Sequence, residues 1–133
     1  MARVNWRTVK AQSLTPEQVA VKLYDAAKGK AAGRKLEFGL DFNDVLRRVQ
    51  AGRCEVTGIE FDMRQKPPGG MDFPFRASLD RIDNTAGYVT GNIQVVVKIF
   101  NTCKWCWNDE DVLEMARKLV EKNDDRQMFV VQT

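Results

Sequence analysis

Phe75-Arg-Ala-Ser-Leu-Asp-Arg-Ile-Asp-Asn-Thr-Ala-Gly-Tyr-Val-Thr-Gly-Asn-Ile-Gln-Val-Val-Val-Lys-Ile-Phe-Asn-Thr-Cys-Lys104 is the stretch on which the fold turns. Ala77, Leu79 and Ile82, with Ser78, Asp80, Arg81 and Asp83 between them, predict a half-buried strand ending in a charged cluster. Asn84 and Gly87 supply a turn. From Asn92 onward Ile93, Val96, Val97 and Phe100 recur at helical spacing, which predicts a helix with Lys98, Asn101 and Lys104 along one stripe. That geometry aims Asn101 and a basic edge at the carboxylates of the strand.

The chain has 133 residues, about one domain's worth, enough for a real but small core. It holds no unbroken apolar run near membrane-spanning length, and Ala2 to Lys10 lacks the apolar centre of a signal peptide, so the expectation is a soluble, cytoplasmic protein with no membrane partner. Three cysteines, an odd number, argue for reduced thiols rather than a secreted disulfide framework. The net charge of +3 conceals an asymmetry. The first 35 residues carry eight bases, Arg3, Arg7, Lys10, Lys22, Lys28, Lys30, Arg34 and Lys35, against Glu17 and Asp25, while the remainder carries 13 bases and 16 acids. A basic front suits contact with a phosphate backbone, and equally a solvated arm.

Residues 1–13 read as a basic arm that packs, if anywhere, through Trp6, and 14–133 as one α+β domain. Thr15, Pro16 and Gln18 open a helix with a capping box, and Val19, Leu23, Ala26 and Ala27 form its buried stripe. Two glycines among bases from Lys28 to Gly33 predict its end in a loop. Leu36 to Phe42 is either a short strand or a lead-in, because Leu36, Phe38, Leu40 and Phe42 alternate while Gly39 weakens the pattern. Asp41 or Asn43 caps a second helix, Asp44 to Gln50. Cys54 to Met63 reads as a strand or a tight hairpin turning at Gly58, and Arg64 to Pro74 as a surface loop. A last amphipathic helix runs from about 108 to 122, stopped by Asn123-Asp124-Asp125; Met128 to Val131 add a terminal strand or fray.

Leu79-Asp80-Arg81-Ile82-Asp83, Gly87-Tyr88, Gly91-Asn92-Ile93-Gln94 and Asn101-x-x-Lys104, preceded by Cys54-x-x-Thr57-Gly58, together resemble the core of the HNH (His-Me finger) endonucleases, in the small form common among phage proteins. The resemblance spans 54–104. It implies a ββα-metal core with flanking N- and C-terminal helices, DNA as partner, and hydrolysis of phosphodiester bonds with one divalent ion, Mg²⁺ or Mn²⁺. Carried over residue by residue, the acidic metal ligand falls on Asp80, the general base on Arg81, the asparagine that orients the turn on Asn92, and the last metal-holding position on Asn101.

The chain contains no histidine. Arginine stays protonated and cannot take a proton from water, so Arg81 is at most a phosphate clamp or a stabiliser of transition-state charge. Asp83 becomes the candidate for positioning a metal-bound water, since coordination itself lowers the pKa of water. Arg76, Arg81, Lys98 and Lys104, with Arg3, Arg7 and Lys10 of the arm, are the candidate contacts to nucleic acid. The alternative for Asp80, Arg81 and Asp83 is a structural cluster of ion pairs and turn caps.

Many members of the family carry a structural zinc on two Cys-x-x-Cys pairs. The matching positions here are Cys54 with Thr57 and Val97 with Phe100, so no structural zinc is expected. Cys103-Lys-Trp-Cys106 is half a zinc site or a redox pair by spacing alone, and one further cysteine cannot complete it. Trp105, Trp107 and Tyr88 offer faces for base stacking, but the expectation for the tryptophans is burial between two helices. The rival to an endonuclease is the same scaffold without catalysis, binding nucleic acid or a protein partner, or serving as an inhibitor of a nuclease.

Overall fold

The computed structural model describes residues 5–70 and 72–126. A 3₁₀ turn, Trp6–Thr8, precedes α1 (Pro16–Arg34), β1 (Phe38–Gly39), α2 (Phe42–Gln50), β2 (Ala77–Arg81), β3 (Tyr88–Val89), β4 (Ile93–Val97), α3 (Lys98–Lys104) and α4 (Asp109–Arg126). The architecture is α+β, with two small two-stranded sheets. Among the described residues no helix is long and apolar enough to cross a membrane.

α1 starts where its capping box says it should: Gln18 N–H donates to Thr15 Oγ1, and Thr15 N–H donates back to Gln18 Oε1. It does not end at the glycines. Ala27 and Ala31 are buried beside Ala20 and Leu23 against the core, and that burial carries the helix through Gly29 and Gly33 despite roughly 1 kcal/mol lost at each. Lys35, in the left-handed region at φ 55°, closes it by donating its N–H to Ala31 and Ala32 carbonyls. The predicted loop at 28–33 is therefore two further turns of helix, and its bases stand on a rigid surface.

Asp41 caps α2 through Asn43 N–H. The reading of 36–42 resolves to a two-residue strand in which Phe38 and Gly39 pair in parallel with Tyr88 and Val89. Gly87 serves this joint rather than a turn: a Cβ on it would lie 2.2 Å from the Glu37 carbonyl oxygen. The 54–63 segment is a tight turn with Gly58 at φ 74° and a single Arg53–Glu60 bridge. Residues 5–13 lie against the stretch that follows it, since Ser13 bridges Arg64, the Arg64 guanidinium donates to the Trp6 and Val9 carbonyls, and Trp6 packs edge-on to Phe75.

The main correction concerns Ile93–Val97. This segment is not the first turn of a helix but a strand, antiparallel to β2 in the register Ala77↔Val97, Leu79↔Val95 and Arg81↔Ile93. All five residues are buried. A run apolar but for Gln94 satisfies helical and extended spacing alike, and four β-branched residues out of five, buried on both faces, favour the strand. The helix begins only at Lys98, and it keeps Lys98, Asn101 and Lys104 along its single stretch. α4 runs through Asn123-Asp124-Asp125 to Arg126, with Asn123 Nδ2 bonded to the Leu119 carbonyl. The terminal segment Met128 to Val131 and Arg3 of the arm lie outside the described residues.

Candidate nucleic-acid interface

β2, β4 and α3 bring the charged residues together on two sides of one strand. On one side Asp80, 5% exposed, accepts from Lys104 Nζ at 2.8 Å and Gln94 Nε2 at 2.9 Å, both on Oδ2. Lys104 is 1% exposed. Its ammonium also donates to the Arg81 carbonyl and stands 2.9 Å from Asp109 Oδ1, an ion pair by distance whose angle falls short of a hydrogen bond. Gln94 completes the ring by donating to Asp109 Oδ2. Burial opposes the lysine's charge, but Asp80 and Asp109 prevail and raise its pKa above the ordinary value. Neither Gln94, though part of the motif, nor Asp109 was given a site role from the sequence, because their partners lie across a sheet and a helix junction.

Arg81 points its guanidinium at the loop that follows, donating to the Asn84 and Ala86 carbonyls and stacking over Tyr88 at 5.2 Å. Asn92 holds the same loop from the other end. Its Oδ1 accepts from Asp83 N–H, and its Nδ2 donates to the Asp83 and Gly87 carbonyls. It caps no helix. Asp83 is exposed and accepts from the Thr85 hydroxyl and N–H, which hold its carboxyl below the ordinary range, with Arg81 adding to the effect; it does not line the cleft described next.

That cleft, of about 310 Å³, opens between α1 and the β2–α3 unit and is lined by Lys30, Arg34, Arg81, Lys98, Asn101, Trp105 and the edge of Asp80, among others. Four cations face one carboxylate, and Lys104 already neutralises that carboxylate. Desolvation, then Lys98, Arg34, Arg76 and Arg81 in turn, hold the Lys30 pKa below its ordinary value. Of the nucleic-acid candidates, Arg81 and Lys98 are in the cleft, Arg76 pairs with Asp72 at 2.6 Å, Lys104 is buried, and Arg7 stacks on Trp6 away from it. Lys10 is exposed on the arm and likewise outside. Lys30 and Arg34 were counted with the basic front but not with the site, because 28–33 read as loop; their spacing of four on a continued helix is the signal that places them together.

As oxygen donors to a divalent ion, Asp80 and Asn101 are both committed in part. Asp80 Oδ2 takes two N–H groups, and Asn101 turns Nδ2 to Ser78 Oγ at 2.8 Å and to the Leu79 carbonyl. Among the described residues no three His, Cys, Asp or Glu side chains group around a common point. The tryptophans are not buried as expected: Trp105 is 74% and Trp107 54% exposed, packed edge to face at 5.6 Å.

No family model matches this chain. An uncharacterized 29.0 kDa protein from the dda-modA intergenic region of Enterobacteria phage T4 is 32% identical over 84 residues, which cover 63% of this chain and 31% of the phage protein. The chain thus matches about a third of that relative's length. Among solved structures, the rare-cutting HNH restriction endonuclease PacI superposes with a TM-score of 0.58 over 83% of this chain and 82% of that one, at 14% identity. At that identity the likeness is one of fold, and the α+β fold of this chain is shared with an HNH restriction endonuclease.

Proposed function

We propose that this chain is a DNA-binding protein on an HNH-like, ββα-metal scaffold, which grips backbone phosphates in the cleft between α1 and the β2–α3 unit. One observation carries the reading: Lys30, Arg34, Arg81 and Lys98 converge on a cleft whose sole carboxylate, among the described residues, is already paired with Lys104. A cleft lined this way draws an anion, and a DNA phosphodiester is the anion suggested by a fold shared with an HNH restriction endonuclease that perturbs DNA. Asp80 and Arg81 then serve as framework, the first closing the ion-pair ring and the second fixing the 83–87 loop.

A second reading, metal-dependent hydrolysis of DNA with Mg²⁺ or Mn²⁺, is favoured by Asp80 and Asn101 lining that same cleft. We read the donor set as weak for the ion, since Lys104 at 2.8 Å and Gln94 take Asp80 Oδ2 and the ammonium neutralises the carboxylate, which leaves Oδ1 as its one oxygen open to a cation. Two assays on one preparation decide between them. Labelled DNA should bind with an affinity that falls linearly in the logarithm of salt concentration, and plasmid should stay intact in Mg²⁺ or Mn²⁺. Cleavage abolished by EDTA and by Asp80→Ala would establish the second reading; absence of binding at low salt would end the first.

A further inference from the structure

The cleft does not stop at Lys30. A second cavity of about 230 Å³ shares Lys30, Leu79, Tyr88 and Lys98 with it and continues along α1 to Lys22, past Ala26 and Ala27. Lys22, Ala26, Lys30 and Arg34 follow one another at intervals of four on α1, so they form a single ridge facing β2. At 1.5 Å per residue the ridge is about 18 Å long. No acid lines the second cavity, the one carboxylate of the first is Asp80, already paired with Lys104, and among the described residues Lys22, Lys30, Arg34 and Lys98 take part in no ion pair. The alanines between the bases leave the floor low enough for a backbone to lie against it.

At the Arg34 end stands Trp105. It lines the cleft, is 74% exposed, and sits at φ 45°, a conformation that costs a non-glycine residue roughly 1 kcal/mol or more. A large apolar ring held outward in this way, at the mouth of a row of cations, has the form of a stacking platform for an unpaired base. A duplex hides its base faces and has no use for it.

We infer that α1 and the β2–α3 unit form a trench for single-stranded nucleic acid, in which Lys22, Lys30 and Arg34 follow the phosphates of one strand and Trp105 stacks on a base where that strand leaves. The inference rests on the DNA-binding reading and narrows its ligand to an unpaired strand. Lys98 faces the ridge from α3 and closes the trench on its other side.

The test uses the full chain, a fluorescein-labelled oligothymidylate and a duplex of equal length, with binding read by anisotropy across a salt series. The single strand is expected to bind at least tenfold more tightly than the duplex. Lys22→Ala/Lys30→Ala/Arg34→Ala, whose helical fold is checked by circular dichroism, should flatten the salt dependence by about two, at roughly 0.7 for each phosphate no longer neutralised. Trp105→Ala should weaken binding roughly tenfold or more and leave the slope unchanged, the mark of a missing stack. Leu119→Ala, at an exposed apolar side chain of α4 that lines neither cavity, should change neither. A preference for duplex, or an unchanged slope in the triple variant, overturns the trench while leaving DNA binding in place; failure of both ligands to bind removes the parent reading as well.

Discussion

Two groups of charges stand on either side of β2, and they are built in opposite ways. Lys104 with Asp80, Asp109 and Gln94 is closed: the lysine is buried and its bonds are satisfied within the protein. Lys30, Arg34 and Lys98 are open: like charges share a cleft, and what would satisfy them is not in the chain. The first group is architecture, because α3 and α4 are fastened to the hairpin through it. The second is a binding surface, because its residues are held together at some electrostatic cost. The difference shows that the charged residue types of a strand end do not reveal which are structural until their partners are placed.

The sharpest way to break the comparison is Lys104→Met. It leaves Asp80 buried without its counter-ion and should lower unfolding free energy by about 3–5 kcal/mol, read from urea denaturation. A loss under about 1 kcal/mol would mean that the closed group is not structural. Asn92→Ala comes next, removing three hydrogen bonds to the loop between the groups, one of them to the part-buried Gly87 carbonyl; about 1–3 kcal/mol should be lost in the same measurement.

Those two groups were unequally legible. The Asp80, Asn92 and Lys104 positions could be picked out because they fall in one continuous stretch with turn residues between them. Of the open group only Lys98 falls in that stretch; Lys30 and Arg34 lie on α1, more than 40 positions earlier, in a segment whose glycines read as a loop. Burial of Ala27 and Ala31 decides that helix, and burial is a tertiary fact. Ile93–Val97 was misread for the same reason, as the apolar run has no polar residue besides Gln94 to fix its period, and its pairing with β2 is what makes it a strand. The exposed tryptophans reversed the ordinary expectation for their type.

Smaller effects sharpen the contrast. Polyvalent anions such as pyrophosphate should raise the melting temperature of the wild-type chain in proportion to occupancy, and a Lys30→Gln/Lys98→Gln variant should lose that response. An equal response in the variant would locate the anion elsewhere. Lys30→Gln alone should raise stability at neutral pH slightly, by no more than about 0.5 kcal/mol, because it removes one of several like charges.

The pH dependence of the two lysines runs in opposite senses. The folded pKa of Lys104 is raised above the ordinary value of 10.5, so its stabilisation is complete below that value and is lost only as pH climbs through the raised one. For Lys30 the folded pKa lies below 10.5, so its cost is carried at lower pH and relieved as pH rises toward 10.5. Denaturation curves taken at rising alkaline pH, up to the ordinary lysine value of 10.5, should therefore show a slight gain with pH that Lys30→Gln abolishes. A gain of the same size in that variant would assign the titration to another group.

The parallel pairing of β1 with β3 has a consequence in time. The β2–β4 hairpin and the α1–α2 pair each form from neighbours in the chain, whereas Phe38 must find Tyr88 across fifty positions, to make a joint only two residues long. Pairings of that separation, giving so little in return, form late. The narrow gap at Gly87 should thus be absent from the folding transition state. Gly87→Ala is then expected to hasten unfolding while leaving the refolding rate nearly as it was, and the two limbs of a stopped-flow chevron would separate those outcomes.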